Sequence, residues 1–136
     1  MPRLAHPFTR CPLLSATIVA GLLTAPILSP ALAHHGWSWA ESEKMTLEGT
    51  ITAISMAPPH PTLRVRAADG RDWQVDLGNP RQTAASGFTG QTVKVGDAIT
   101  VLGNRSRDSD EAHMKAVRIT IAGKNYDMYP ERIGAN

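Results

Sequence analysis

Residues 63–77, with the sequence LRVRAADGRDWQVDL, decide the fold. Apolar residues alternate with polar ones on both sides of Asp69-Gly70. A period of two is typical of half-buried strands, and Asp-Gly between two such segments is the strongest short hairpin signal. We therefore expect a tight antiparallel hairpin with one face in a core. Its outer face would carry the charged residues Arg64, Arg66, Asp72 and Asp76.

Three other segments also alternate and predict strands. The first begins at Met45 and would turn one set of residues inward, namely Leu47, Gly49, Ile51 and Ala53. Prolines between residues 56 and 61 end it, because a central strand does not tolerate them. Later strands are expected over 98–103 and 117–121, with a charged loop between them.

A short helix is predicted between the third and fourth strands. Asn79 is a good N-cap, Pro80 suits the first helical position, and Gly87 would follow the helical end. This order of elements predicts an all-β fold, a small five-stranded OB-like Greek-key barrel, over residues 45–136. An open β-sandwich of the same strands is the alternative.

The first 33 residues have the composition of a cleaved secretion signal. Arg3 and Arg10 precede an apolar stretch that ends in Ala31-Leu32-Ala33, the small-residue pattern of a cleavage site. A membrane anchor is the alternative, but prolines interrupt the apolar stretch, which would need about 20 residues to span a bilayer. We expect a mature chain that begins at His34, is periplasmic or secreted, and has no membrane association. Residues 34–44 would form an N-terminal arm.

Charge and cysteine content change once the signal is removed. The full chain has 14 Lys and Arg residues against 12 Asp and Glu, and the signal removes two arginines, which leaves 12 against 12. From this neutral balance we expect no nucleic-acid binding, since phosphate binding requires a basic surface. Cys11 is the only cysteine and lies in the signal, so the mature chain would hold no disulfide and no thiolate metal site.

Several short motifs occur in an order that resembles an uncharacterised family of small bacterial exported proteins, a domain of unknown function. They are Ala31-Leu32-Ala33 followed by His34-His35, Thr46-Leu47-Glu48-Gly49-Thr50, Pro59-His60, Gly78-Asn79-Pro80 after the Trp73 strand, Gly87-Phe88-Thr89, Val95-Gly96-Asp97 and Val101 with Gly103. Pro58 stands where the family has asparagine. The resemblance implies export and a β-barrel-like domain, and it implies no activity.

The histidines suggest a metal site. Cleavage before His34 would put a free α-amine and an imidazole on one residue, which can chelate a single metal ion. With a further imidazole this arrangement resembles the histidine brace of copper proteins, and nitrogen ligands suit copper(II). We therefore name His34, His35 and His60 as candidate copper ligands. His60 lies in a proline-stiffened loop, and Met56 could add a thioether.

Other interpretations remain open at this stage. His113-Met114 is a weaker candidate pair for metal binding, and His34 and His35 could belong to a frayed terminus. A metal-free OB-like module could instead bind a periplasmic partner protein or a saccharide through Trp37, Trp39 or Trp73. A copper redox enzyme ranks last among these interpretations. No catalytic motif is present, neither a nucleophile elbow, a phosphate-binding glycine loop nor His-Glu-X-X-His, so we expect a protein that is not an enzyme.

Overall fold

The computed structural model describes residues 36–134. The predicted signal and the candidate ligands His34 and His35 lie outside these residues. The regular elements are β1 Met45–Ser55, β2 Thr62–Ala67, β3 Asp72–Asp76, α1 Pro80–Ala85, β4 Ala98–Arg105, β5 His113–Ile121, β6 Lys124–Asp127 and a 3-10 helix over Pro130–Arg132. None of the helices among residues 36–134 has the length and apolarity needed to span a bilayer.

The sheet closes into a barrel. Its strand order is β3-β2-β1-β4-β5-β6, and a parallel pairing between β3 and β5 joins the two ends. Closure through β3 and β5, with α1 between β3 and β4, is the arrangement of an OB fold, so the predicted five-stranded OB-like barrel is confirmed. The alternative open sandwich is wrong, because the β3–β5 pairing leaves no gap between two sheets.

The Asp-Gly hairpin forms as predicted. β2 and β3 pair antiparallel, and their inward side chains Leu63, Val65, Trp73 and Val75 are buried. On the outer face Arg66 and Asp72 form an exposed ion pair. Asp76 does not pair with an arginine of β2, because it turns toward β5.

The first strand departs from simple alternation. β1 faces inward at Leu47 and Ile51, as expected, but Ala53 is exposed. The pairing with β2 steps over one residue between Ile51 and Ala53, which is a β-bulge. A bulge inserts one residue into one strand and moves the following side chains to the opposite face, so Ile54 rather than Ala53 contacts the core.

The helix begins and ends where the sequence indicates. The side chain of Asn79 accepts a hydrogen bond from the Gln82 amide, and the Gln82 side chain accepts one from the Asn79 amide. This capping box satisfies two amides that would otherwise lack partners at the start of the helix. Gly87 follows the helix with a φ of +84°, a conformation that glycine adopts readily.

Two features of the carboxyl-terminal half differ from the prediction. β5 begins at His113 rather than Val117, because residues 113–115 pair with β3 and close the barrel. β6 is a sixth strand, joined to β5 by a tight turn in which both Ala122 and Gly123 have positive φ. The core inside the barrel includes Ile51, Leu63, Val65, Val75, Leu77, Phe88, Val101, Met114, Ala116, Val117 and Ile119.

Candidate functional site

The segment before β1 is attached to the outside of the barrel near the start of β5. Ala40 forms an isolated bridge with Ser106, and the Trp39 carbonyl accepts a hydrogen bond of 3.0 Å from the Arg107 amide. The Trp39 ring stacks on His113, with ring centroids 4.1 Å apart and planes inclined by 15°. Residues 36–44, which we call the arm, are therefore fixed to one side of the barrel.

Asp76 connects β3 with β5 beneath the arm. His113 Nε2 lies 3.0 Å from Asp76 Oδ2, and Gln74 Nε2 donates a 3.1 Å hydrogen bond to Oδ1. Burial raises the pKa of Asp76, but the contacts with His113 and Gln74 and the nearby charge of Lys115 outweigh it, so this pKa lies below its ordinary value. Asp76 is consequently a carboxylate under most conditions, although it is largely buried.

Lys115 is a buried cation on the outer side of β5. Only 2% of the residue is exposed, and its ammonium group lies 5.4 Å from the ring centroid of Trp37 and 5.8 Å from that of Tyr129. Burial lowers the pKa of Lys115; the carboxylate of Asp76 opposes this, and the charge of Arg132 lowers the pKa further. Two aromatic faces thus replace part of the water that a lysine normally keeps.

A pocket opens between the arm and the barrel. It has a volume of about 350 Å³ and is lined by Trp37, Ala40, Glu41, Ser42, Lys44, Asn104, Arg107 and Arg132. The buried Asn104 amide nitrogen lies 3.0–3.1 Å from the carbonyl oxygens of residues 41, 42 and 43. This one side chain therefore fixes the backbone that forms a wall of the pocket.

Of the candidate metal ligands, only His60 is among the described residues. It is half-buried in the loop between β1 and β2 and is followed by Pro61, which is fully buried and accepts a 2.9 Å hydrogen bond from the Leu77 amide. Met56, in the same loop, is 37% exposed. Within residues 36–134 no three His, Cys, Asp or Glu side chains form a cluster that would hold a metal ion.

The weaker candidate pair, His113-Met114, has structural contacts of a different kind. The His113 ring stacks on Trp39 of the arm, and its Nε2 atom contacts the Asp76 carboxylate. Met114 is fully buried in the core. Adjacent residues of a strand point to opposite faces, so the two side chains do not converge on one ligand.

The tryptophans proposed for ligand stacking have different environments. Trp73 lies in the core and Trp39 is buried against His113. Trp37 is only half-buried; it contacts Tyr129 edge-on and has the Arg132 guanidinium 3.9 Å from its ring centroid. Of the three, Trp37 alone borders the pocket.

Sequence reasoning missed three residues of this region, namely Asp76, Lys115 and Arg132. Asp76 and Lys115 occupy alternate polar positions that are read as a solvated face, and only the parallel β3–β5 register places them opposite each other. One signal was present: His113 and Lys115 alternate with Met114 and Ala116, although in the phase opposite to that of Val117, Ile119 and Ile121.

Comparison with solved structures finds OB-type neighbours with low sequence identity. The Stn1-Ten1 complex of S. pombe matches with a TM-score of 0.49 and 16% identity, over 60% of this chain and 59% of that chain. The mitochondrial single-stranded DNA-binding protein Rim1 of S. cerevisiae matches with a TM-score of 0.45 and 12% identity, over 59% of this chain and 92% of that chain. No curated protein matches the chain in sequence.

These neighbours correct one expectation. Absence of nucleic-acid binding was inferred from a net charge of zero, yet one neighbour with this fold is described as a single-stranded DNA-binding protein. Net charge is a sum over the whole chain and does not measure how charges are distributed. Here several cations gather around the arm, namely Lys44, Arg107, Lys115 and Arg132. Neutrality is therefore no ground for excluding nucleic acid.

A protein-family model matches residues 23–115, which is more than half of the chain. The family is described as one of unknown function. The match confirms the resemblance noted from the motifs to an uncharacterised family.

Proposed function

Because the chain belongs to DUF6152, a family of unknown function, its activity has to be inferred from its own residues, and we propose that it is an exported copper-binding protein. The domain is a small β-barrel of the OB type. In this proposal the signal directs the chain to the periplasm or the medium and is cut after Ala33. The protein then carries or buffers copper and catalyses no reaction.

The proposed ligands are His34, His35 and His60. His34 would supply its α-amine and its imidazole, and His60 would supply a second ring from the barrel. The α-amine has a pKa of roughly 8, so a metal ion displaces its proton near neutral pH. Copper(II) binds nitrogen ligands in a tetragonal arrangement and leads the affinity order of the divalent first-row metals.

One observation carries the proposal: β3 pairs both with β2, which follows the His60 loop, and with β5, which the arm covers. Thr62 and Lys115 are both opposite Asp76, one on each neighbouring strand. Strands are about 4.8 Å apart, so the Cα atoms of Thr62 and Lys115 are about 10 Å apart. Trp37 covers Lys115, and His60 precedes Thr62 by two residues.

The length of chain before Trp37 supports the same conclusion. An extended residue spans about 3.3–3.6 Å, so three residues before Trp37 have a reach of about 10 Å. Residues 36–134 contain no group of three His, Cys, Asp or Glu side chains that could hold a metal ion, and in this proposal the terminus supplies the other ligands. Met56, which is partly exposed and precedes His60 by four residues, would add a soft ligand suited to copper(I).

The proposal is tested on protein exported by cells that express the full chain. N-terminal sequencing of the product should give His34 as its first residue. Calorimetric titration with copper(II) should then show tight binding of one ion per chain. A version with one extra alanine before His34 should lose this binding, because the added residue moves the amine away from the imidazole.

Variants of the barrel histidines separate a specific site from general histidine binding. His60→Asn should weaken copper(II) binding by at least about tenfold, since one of few ligands is lost. His113→Asn removes an imidazole that is not a proposed ligand but holds Trp39 of the arm, so it should weaken binding less than His60→Asn. Equal, weak binding by the wild type, the extended chain and His60→Asn would contradict the proposal.

A further inference from the structure

The pocket between the arm and the barrel is strongly cationic. Three cations, Lys44, Arg107 and Arg132, line it, against one carboxylate, that of Glu41. The pocket therefore has an excess of two positive charges. This excess is local, because the mature chain as a whole is neutral.

The cations keep hydrogen-bond donors that the protein does not use. Among residues 36–134, the side chains of Lys44 and Arg132 form no ion pair and no hydrogen bond. Arg107 donates a 3.0 Å hydrogen bond through Nε to the Ala40 carbonyl. Its terminal amino groups have no hydrogen-bond partner among residues 36–134. A guanidinium stacked on a ring, as Arg132 is on Trp37, presents its N–H groups at its edge.

A fourth cation lies behind the pocket. The Lys115 ammonium approaches the Trp37 ring as Arg132 does, and the charge of Arg132 contributes to the lowered pKa of Lys115. Asp76 is the carboxylate that faces Lys115, and His113 and Gln74 already contact it. A bound anion would relieve the repulsion between Lys115 and Arg132.

The walls of the pocket are shaped for a small molecule. A volume of about 350 Å³ is at the lower end of the range of ligand pockets, about 300–1,000 Å³. Trp37 and Ala40 provide apolar surface, and the hydrogen bonds of Asn104 fix the wall formed by residues 41–43. Glu41 adds a negative charge, which disfavours a dianion more than a singly charged carboxylate.

We propose that this pocket binds a small organic carboxylate, with the carboxylate on Arg132 and the apolar part of the molecule beside Trp37. Arginine binds carboxylates through two parallel hydrogen bonds, which fix orientation as well as charge. Lys44 and Arg107 stand at the same pocket and add attraction. The site uses none of the proposed copper ligands, so it does not depend on metal binding.

The test uses isotope-labelled protein purified after expression of the full chain. Benzoate is titrated while the indole N–H resonance of Trp37 is followed by NMR, with Trp37→Phe identifying that resonance. Benzamide, which has the same shape and no charge, is titrated in parallel. Benzoate should shift the Trp37 resonance in a saturable way, and benzamide should not.

Charge variants assign the binding to this pocket. Arg132→Gln should weaken benzoate binding by at least about tenfold, the effect expected when a charged hydrogen-bond partner is lost. Lys44→Gln, on the arm, provides a second test in case the first variant disturbs Trp37, and it should also weaken binding. Arg66→Gln removes the same charge from an exposed position of β2 that does not line the pocket, and it should have no effect.

Free acids and peptide carboxyl termini share this chemistry, and N-acetylphenylalanine separates them. Tighter binding of N-acetylphenylalanine than of benzoate points to a peptide terminus, and the reverse points to a small acid. The proposal is overturned if benzoate leaves Trp37 unshifted, if benzamide shifts it equally, or if Arg132→Gln and Arg66→Gln bind benzoate alike.

Discussion

Trp39 lies parallel to His113, with ring centroids 4.1 Å apart, and this contact attaches the arm to the first residue of β5. The Trp39 side chain is buried, and its backbone carbonyl accepts a hydrogen bond from the Arg107 amide. The arm is therefore part of the folded structure. Both proposed sites depend on the arm, because its residues line the carboxylate pocket and directly follow His34 and His35 in the sequence.

Replacing Trp39 with alanine should destabilise the protein substantially. Truncation of a buried tryptophan costs about 3–5 kcal/mol, because apolar contacts are lost and a cavity remains. We expect a loss of about 3 kcal/mol in the free energy of unfolding, measured by urea denaturation. Val95→Ala is the control, since Val95 is 60% exposed and its truncation should change stability by less than about 0.5 kcal/mol. Equal stability of the two variants would show that the arm is not held by this contact.

Asp76 should make stability depend on pH in the acid range. Its pKa in the folded state is below the ordinary value of about 4. A group with a lowered pKa stabilises the fold fully above the unfolded-state pKa, and this contribution is lost as the pH falls through the folded-state pKa. The difference in the free energy of unfolding between wild type and Asp76→Asn should therefore be larger at pH 6 than at pH 3.

Asp72→Asn provides the matched control for this prediction. Asp72 is in the same strand, and hydrogen bonds from Arg66 also lower its pKa, but the pair is exposed and screened by water. Exposed ion pairs contribute little to stability. Asp72→Asn should therefore follow the wild type at both pH values. If Asp76→Asn also follows the wild type between pH 6 and pH 3, the contacts of Asp76 with β5 do not contribute to the fold.

The barrel was predictable because its information is local. Alternation over residues 63–67 and 73–77 with Asp69-Gly70 between them sets the hairpin, and Asn79-Pro80 marks the start of the helix. If β2 and β3 were paired one residue out of register, every inward side chain of the shifted strand would turn to the solvent. The register of this hairpin therefore follows from the alternating pattern alone.

The errors arose where long-range contacts decide the structure. The bulge after Ile51 follows from pairing with β2 and has no marker in the sequence of β1. β6 was missed, although Gly123 marks the turn before it, because the strand has only four residues. β5 was begun too late because His113 and Lys115 are polar, although the arm covers both.

The candidate sites were predictable to a smaller extent. The proposed copper site is inferred from the position of the expected cleavage, which is a property of the sequence. The carboxylate pocket does not, because Lys44, Arg107 and Arg132 come from three separate segments. Only the closure of β3 on β5 and the docking of the arm bring them together.

Gly49→Ala and Gly103→Ala should both be destabilising for a reason unrelated to backbone freedom. A β-carbon at Gly49 would meet the Arg66 backbone carbonyl and lie 2.7 Å from Val65 Cγ1, and one at Gly103 would lie 2.8 Å from Met114 Cε. Backbone atoms of a paired strand cannot move aside without breaking the ladder. We expect losses of about 1–3 kcal/mol in the free energy of unfolding for each variant, from urea denaturation.

Gly90→Ala is the comparison for the glycine variants, since its β-carbon would be 3.5 Å from Met56 Cγ, an ordinary contact. It should leave the unfolding midpoint close to that of the wild type. A Gly103→Ala protein as stable as Gly90→Ala would mean that β4 and β5 approach each other less closely than the structure describes.

Asn104 offers the sharpest test of how the arm is held, because its amide group donates to backbone carbonyls from a buried position in β4. Asn104→Asp keeps the size of the side chain but exchanges the donor for a charged acceptor, which would face three carbonyl oxygens. A buried polar group without its partner costs about 1–3 kcal/mol, and a charged group costs more. Asn104→Asp should therefore lose more than about 3 kcal/mol of unfolding free energy near pH 7.

The same exchange at Asn125 separates this effect from a general response to added negative charge. Asn125 is an exposed residue of β6 that contacts the Thr120 hydroxyl, and Asn125→Asp should change stability little, since that hydroxyl can donate to a carboxylate. Hydrogen exchange should also show faster exchange of the Glu41 amide, which bonds to the Arg105 carbonyl, in Asn104→Asp alone. If exchange at Glu41 is unchanged while stability falls, Asn104 supports the barrel but not the arm, and the wall of the carboxylate pocket is held by the tryptophan contacts instead.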